Sequence, residues 1–350
     1  MKTLRAVLDP FVLLLIAMVV LASWLPVEGE HARITDRLAD AGIVMLFFLH
    51  GARLSRAAIA AGASNWRLQG AVLLVTFGLF PLLGIGIATA MRTFGADMAV
   101  GDPVLAGGML FLTLLPSTVQ SSIAFTSIAR GNLAGAVCAA SFSNFAGIVL
   151  TPLLVGLTMA SSSVGQGSIW HSAETIALQL LLPFVAGHLA RPLIGSLVER
   201  HKRFVGRLDR AAILLIVYTA FSAAVVDGLW QRLSLVTLAM LSLICAGLLA
   251  LVLAASWRAG IALGFSRADR IVLLFCGSKK SLASGVPMAG ALFPAAQVGM
   301  LLVPLMLFHQ FQLIACALIA RRLAAQDGAS RDRHKDKRRM NGSLVETTDR

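Results

Sequence analysis

Charged residues are scarce in this chain: they make up 13% of its 350 residues, whereas 57% are hydrophobic and the mean hydropathy is +0.82. Ordinary soluble domains carry about 25% charged residues, so this composition excludes a soluble globular protein. The net charge of +13 does not indicate nucleic-acid binding, because the basic residues lie in short segments between apolar runs. We therefore predict an all-α polytopic membrane protein, with the lipid bilayer as its surroundings.

Several chemical signatures are also missing. The four cysteines lie in apolar runs without metal-ligand spacing, so no disulfide or metal site is predicted. No nucleotide-binding loop is present, which argues against an ATP-driven pump. No carboxylate pair, histidine-rich metal set or partnered nucleophile lies within an apolar run, which argues against an intramembrane enzyme. We expect no cofactor, with Na⁺ or H⁺ as the candidate coupling ions.

Ten apolar segments are long enough to cross a bilayer. They fall at approximately 9–25, 39–54, 68–91, 104–129, 133–157, 173–194, 208–227, 233–256, 269–294 and 297–320. Alternate connections carry very different charge: about 24 of the 30 Lys and Arg residues lie on the side that holds both termini. Positive charge accumulates on the cytoplasmic side, so both termini are predicted to be cytoplasmic in a multi-pass protein of the cell's inner membrane.

Ten spans with both ends inside allow two halves of five. Because five is odd, the second half would run opposite to the first, as in the inverted repeats of many secondary transporters. We place these repeats at about 1–160 and 170–325, within a transporter domain covering residues 1–325. Residues 326–350 form a basic cytoplasmic tail with too little apolar content to fold, and we predict it to be disordered.

The fourth apolar segment of each half is interrupted. In the first half a proline removes a backbone donor and polar side chains follow it: Pro116, Ser117, Thr118, Gln120, Ser121 and Ser122. In the second half the interruption is Ser278, Lys279, Lys280 and Ser281, next to Gly277. A proline kink whose serines bond to their own helix would explain the first interruption alone. Two interruptions at matching positions favour a substrate or ion site.

The two adjacent lysines are open to three interpretations, because a lysine at mid-bilayer costs roughly 2.5–3.5 kcal/mol. One ammonium could neutralise an anionic substrate, replace a coupling cation as a tethered charge, or exchange a proton. Alternatively, both side chains could extend to water at the membrane surface. Adjacent helical residues point about 100° apart, so we expect one lysine in the cavity and the other either paired or extended to water at the membrane surface.

Further polar residues in apolar runs complete the candidate site. Ser141 and Asn144 lie in the fifth segment, where they could contribute to the site or to helix packing. His309 and Gln310 interrupt the last segment, and a histidine satisfied by a backbone carbonyl is the alternative there.

At these interruptions the sequence resembles the bile acid:sodium symporter superfamily, specifically its symporter-like (SBF-like) branch. The resemblance rests on LLPSTVQSSIAFTSIARGN, DRIVLLFCGSKKSLASGVPM and VPLMLFHQFQL, and it covers residues 1–325. It implies about ten transmembrane helices in two inverted five-helix repeats, with broken fourth and ninth helices crossing. It also implies a panel domain and a core domain, with substrate bound between them.

The chain departs from this family where ions are coupled. Bile acid symporters carry E-x-G-x-Q-N in the ninth helix, with the Glu and Gln serving sodium. Anchored on Gly277, this chain has Phe275, Lys279 and Lys280 in place of the Glu, Gln and Asn. A cation next to ammonium groups is repelled, so a sodium ion at this position is disfavoured.

We therefore expect a secondary-active transporter of a small anionic organic solute, with its coupling ion open. The alternative is a regulatory or scaffolding membrane protein that keeps the fold, transports nothing and acts through its basic tail.

Overall fold

The computed structural model is described over residues 10–53, 65–95, 100–159 and 177–348, with side chains described as far as Gln326. These ranges contain α-helices and two π-helical segments and no strand, so the predicted all-α class is confirmed for them. The helices are α1 Pro10–Trp24, α2 Gly29–Arg53, α3 Trp66–Leu74, α4 Phe80–Phe94, α5 Pro103–Leu114, α6 Gln120–Ile128, α7 Leu133–Met159, α8 Leu182–Arg200, α9 Lys202–Val226, α10 Leu229–Arg232, α11 Leu235–Ala262, α12 Arg267–Gly277, α13 Leu282–Leu292 and α14 Ala295–Thr348. The π-helical segments are Val75–Leu79, between α3 and α4, and Ala177–Leu181, before α8.

Six helical stretches in the described ranges are long and apolar enough to cross a membrane. They are Trp66–Phe94, Leu133–Met159, Leu178–Arg200, Lys202–Val226, Leu235–Ala262 and Ala295–Gln326. Helices α1 and α5 are apolar but shorter. A span of about 20 apolar residues matches the hydrocarbon thickness of a bilayer, so the chain is a multi-pass membrane protein.

Two helical segments are interrupted in the regions where the sequence contains its proline and its double lysine. Helix α5 ends at Leu114, and Leu115 has an extended backbone with φ −76° and ψ 156°. Helix α12 ends at Gly277, and α13 begins at Leu282 after Ser281, whose side chain accepts from the Ser284 N–H. Proline removes a helical donor and serine caps a new helix, so both interruptions have local causes.

The two interruptions contact each other directly. The Ser281 N–H donates to the Pro116 carbonyl at 2.8 Å, and the Ser122 hydroxyl donates to the Phe275 carbonyl at 3.0 Å. Helix α7 approaches closely because it has a glycine here: a Cβ at Gly147 would lie 2.6 Å from Pro116 Cβ. The crossing is therefore a packed unit. Backbone groups near each interruption accept hydrogen bonds from donors near the other.

Helices α2 and α8 also pack backbone against backbone. A Cβ at Gly51 would lie 2.0 Å from the Phe184 carbonyl oxygen, and one at Gly187 would lie 1.9 Å from that of Phe48. Small residues allow this close approach of membrane helices. The pair forms the side of the molecule opposite the interrupted segments across a cavity.

Helix α14 continues from its apolar part through the basic residues of the tail to Thr348. The division into a transporter domain and a tail at residues 325 and 326 stays a prediction. The predicted connections near 55–67 and 158–172 and the basic N-terminus lie largely outside the described residues.

Candidate functional site

A cavity of about 830 Å³ lies between the interrupted segments and helices α2, α8 and α9. Its size is within the range of small-molecule sites. Phe47, Phe145 and Phe184 contribute apolar surface, while the two interruptions and α9 contribute polar and charged groups. The sequence therefore brings together, in one cavity, residues separated by more than 200 positions along the chain.

One wall of the cavity is built from hydroxyl and amide groups of the interruptions. Thr118 Oγ1 lies 2.8 Å from Ser121 Oγ, and the Ser284 hydroxyl donates to Asn144 Oδ1 at 2.9 Å. Ser281 Oγ, which caps α13, donates to Ser284 Oγ at 3.0 Å. These neutral groups can both donate and accept, so they can hydrogen-bond a polar solute.

The facing wall is strongly basic. Five Lys and Arg side chains and one aspartate line the cavity: Arg53, Lys202, Arg203, Asp209, Arg207 and Arg210. Arg53 pairs with Asp209 at 2.6 Å, which leaves an excess of four positive charges. In the sequence the α9 charges indicate only which side of the membrane is cytoplasmic. Their position on the cavity wall gives that side a field that attracts anions.

Lys280 is completely buried behind the hydroxyl wall. Its Nζ donates to three main-chain carbonyls, of Thr76 at 2.8 Å, Thr113 at 2.7 Å and Leu115 at 2.7 Å. The ring of Phe80 lies 4.2 Å from Nζ, measured to the ring centroid. Lys280 is therefore paired entirely within the protein.

Lys279 is also completely buried. Its Nζ donates to Ser121 Oγ at 3.2 Å and lies 4.5 Å from the centroid of the Phe125 ring. The expectation that one ammonium faces the cavity is therefore wrong in detail, because the Ser121 hydroxyl stands between Lys279 and the cavity. The alternative that both lysines reach water is also wrong, since neither side chain has exposed surface.

Gln312 holds the second interruption in place. Its Oε1 accepts from the Lys280 N–H and its Nε2 donates to the Lys280 carbonyl, both at 2.9 Å. The same Nε2 lies 2.8 Å from Nδ1 of His309, which lines the cavity. A polar chain thus joins a cavity histidine to the unwound backbone at the lysine pair.

The remaining predicted residues divide into two groups. On the cavity wall lie Gln120 and Ser141, together with the residues of the hydroxyl wall and His309. Buried within the crossing lie Ser117, whose N–H donates to Ser143 Oγ at 3.1 Å, and Ser278, which donates to the Leu274 carbonyl. Ser122 belongs to this second group. Gln310 belongs to neither group: it is half-buried on α14 and does not line the cavity.

Besides the α9 charges, three residues at or beside the site were not predicted: Gln312, Thr76 and Pro81. Gln312 lies in the same apolar segment as His309, and its spacing of three from that histidine was the available signal. The Thr76 carbonyl accepts from Lys280, and Pro81 follows Thr76 by five residues in an apolar run. This spacing was only a weak signal of a carbonyl that lacks a helical donor. Among the described residues no group of three or more His, Cys, Asp or Glu is arranged so that it could hold a metal ion.

The part of the chain that contains the site is similar to known membrane transporters. A sequence profile of the SBF-like CPA transporter family matches residues 9–325. The chain is 49% identical over 326 residues to "Putative symporter YfeH" of Escherichia coli (strain K12), which is 93% of this chain and 96% of that protein. It is 28% identical over 289 residues to "Sodium/bile acid cotransporter 7" of Danio rerio, 81% of this chain and 82% of that protein. The protein of the same name from Mus musculus is 27% identical over 280 residues, 78% of each chain.

Proposed function

Since this chain belongs to the SBF-like CPA transporter family, we propose that it is a secondary-active transporter of a small organic anion. Membership of the family makes it a membrane transporter of a small-molecule solute, in line with relatives named as a symporter and a cotransporter. These names do not favour a scaffolding protein that transports nothing, and they suggest a transporter without catalytic activity.

The positive charge of the cavity is the observation that supports an anionic substrate. Its α9 wall holds Lys202, Arg203, Arg207 and Arg210, and the aspartate beside them is already paired with Arg53. An anion that enters gains from this field, whereas an organic cation is repelled. The opposite wall supplies hydroxyl and amide groups that would fix the orientation of the bound solute.

The architecture proposed for transport has about ten transmembrane helices in two inverted repeats, with both termini cytoplasmic in the inner membrane. Support comes from the contact between the interruptions after α5 and after α12, because inverted-repeat transporters bind substrate at discontinuous helices. A core containing the interrupted segments would move against a panel containing α2, α8 and α9, which would open the cavity alternately to each side.

The proposed coupling ion of this secondary-active transport is a proton. Phe275, Lys279 and Lys280 stand where bile acid symporters carry sodium ligands, and two ammonium groups repel a free cation. A proton could be carried by His309, which lines the cavity and contacts Gln312. Sodium would be left with the neutral oxygens near Thr118 and Ser121.

Uptake by proteoliposomes tests the proposal. Purified protein would be reconstituted and offered radiolabelled benzoate, succinate and taurocholate under an inward proton gradient, an inward sodium gradient or no gradient. We expect at least one anion to accumulate above the level of protein-free liposomes without a sodium gradient. Uptake equal to that of protein-free liposomes for all three anions and all three conditions would contradict it.

Reversing the charge of two cavity residues tests whether the cavity charge selects the substrate, and two exposed arginines outside the cavity provide a matched control. The double variant Arg203→Glu with Arg207→Glu is expected to raise KM for the transported anion about tenfold at low salt, and less at high salt because ions screen the field. Arg92→Glu with Arg232→Glu reverses two exposed charges outside the cavity and should leave KM unchanged. An equal rise of KM in both double variants would remove the cavity charge from substrate selection.

A further inference from the structure

We propose that Lys280 is a built-in monovalent cation, whose ammonium fills a carbonyl site that a free Na⁺, K⁺ or alkylammonium ion occupies when the side chain is shortened. The site consists of the carbonyl oxygens of Thr76, Thr113 and Leu115 and the face of the Phe80 ring. The inference does not depend on which solute is transported, because it concerns what holds the crossing together.

The number of contacts fits the charged form of the side chain. An ammonium has three N–H donors, and Lys280 Nζ has three carbonyl acceptors at 2.7–2.8 Å. A neutral amine has two N–H donors, so its lone pair would face the third carbonyl oxygen and be repelled. The short distances and the ring face 4.2 Å away also fit a cation.

The Thr76 carbonyl is available because of the π-helical segment. In an α-helix it would accept from the Phe80 N–H, but that N–H donates to the Val75 carbonyl. In the π-helical register its donor would be residue 81, which is Pro81 and has no N–H. This segment therefore presents one carbonyl oxygen with no helical partner to the interior.

The other two carbonyls come from the end of α5. Thr113 would accept from the Ser117 N–H if the helix continued, but that N–H donates to Ser143 Oγ. Leu115 leaves the helix with an extended backbone, which turns its carbonyl aside. The carbonyls beside them have other donors, since Leu114 accepts from the Thr151 hydroxyl and Pro116 from the Ser281 N–H.

Electrostatics favour a cation at this place for a second reason. The C-terminal end of a helix carries partial negative charge, and α5 ends at the Lys280 ammonium. Carbonyls of unwound backbone and helix C-terminal ends are also groups that replace the hydration shell of small cations. In this proposal the ammonium supplies at the crossing the positive charge that a bound ion would otherwise supply.

Thermal unfolding of the purified full-length protein tests this inference. Tm would be measured for wild type and Lys280→Ala in chlorides of Na⁺, K⁺, methylammonium and the bulky N-methylglucamine ion, at equal ionic strength. We expect wild-type Tm to be the same in all four salts. Lys280→Ala should lose about 10 °C in N-methylglucamine and regain part of it, saturably, in at least one small cation.

Two further variants make the result specific. Lys280→Met keeps the aliphatic stem without the charge, fills the space and should stay at low Tm in every salt. Lys279→Ala removes the neighbouring ammonium, which has no carbonyl cage, so its Tm should not depend on the cation. The inference is overturned if Lys280→Met is as stable as wild type, if no cation raises Tm of Lys280→Ala, if that variant folds in none of the salts, or if Lys279→Ala shows the same response.

Discussion

Replacing Lys279 with glutamine is expected to abolish most anion uptake, or to change its ion dependence, while the protein stays folded. Its ammonium contacts Ser121, a hydroxyl of the cavity wall, so its charge acts on the cavity from one residue behind the surface. An ammonium about 8 Å from a bound anion contributes about 2 kcal/mol at an effective dielectric constant of 20, or roughly thirtyfold in affinity. Uptake of the transported anion by proteoliposomes would measure the loss.

Size-exclusion chromatography and Tm would verify that Lys279→Gln remains folded. Arg92→Gln is the matched control, because it removes one positive charge from an exposed position on α4 outside the cavity lining. Unaltered uptake by Lys279→Gln, with the same response to sodium and pH as wild type, would remove Lys279 from the transport mechanism.

Replacing Gly187 with valine is expected to leave little or no folded protein. A Cβ at this position would lie 1.9 Å from the Phe48 carbonyl oxygen, and the backbone of α2 cannot yield as a side chain would. Overpacking a core typically costs 1–3 kcal/mol, and a clash with backbone at a helix crossing exceeds that range. The monodisperse fraction after solubilisation would measure the loss of folded protein.

Gly247→Val is the matched control for this prediction. Gly247 lies on the exposed face of α11, and a Cβ there has nothing within 4 Å. The control should give a normal yield, and Gly51→Val should behave like Gly187→Val because the two glycines face the same crossing. Folded Gly187→Val at the wild-type Tm would mean that α2 and α8 do not pack as described.

The helix interruptions could be predicted from the sequence because their causes are local. Pro116 removes a backbone donor wherever it lies, and the Gly277–Ser281 segment combines poor helix formers with a serine that caps the next helix. Apolar length and the charge of the connections likewise act over single segments. These features are therefore sufficient to predict the all-helical class and a chain that crosses the membrane several times.

The arrangement inside the crossing could not be predicted, because it depends on contacts across the chain. The Thr76 carbonyl meets Lys280 from 204 positions away, and Gln312 meets the same residue from 32 positions away. The local pattern of Thr76 and Pro81 is too weak to indicate a π-helical segment whose carbonyl lacks a helical donor and accepts from Lys280. The expectation of an ammonium in the cavity failed for this reason. Three carbonyls satisfy Lys280 in the interior, and the Ser121 hydroxyl and the Phe125 ring satisfy Lys279.

The position of the basic residues of α9 on the cavity wall could not be predicted from the sequence either. Their excess on one side of the membrane is sufficient for a topology signal, so the sequence gives no reason to assign them a second role. In the structure Arg203 and Arg207 face the cavity from the opposite side to the interruptions. Only the packing of α9 against the rest of the protein makes the same charges part of the cavity wall, where we propose that the solute binds.

Binding of an organic anion in this cavity is the central claim, and ligand-induced thermal stabilisation of the purified protein tests it most directly. Tm would be measured with benzoate, succinate and taurocholate, with and without sodium and over a pH series, for wild type and for Arg203→Glu with Arg207→Glu. A ligand at 100 times its Kd stabilises by about 2.7 kcal/mol, so we expect a clear rise of wild-type Tm with at least one anion, without sodium, and little rise in the variant. A Tm that no anion raises, or that rises equally in the variant, would contradict the claim.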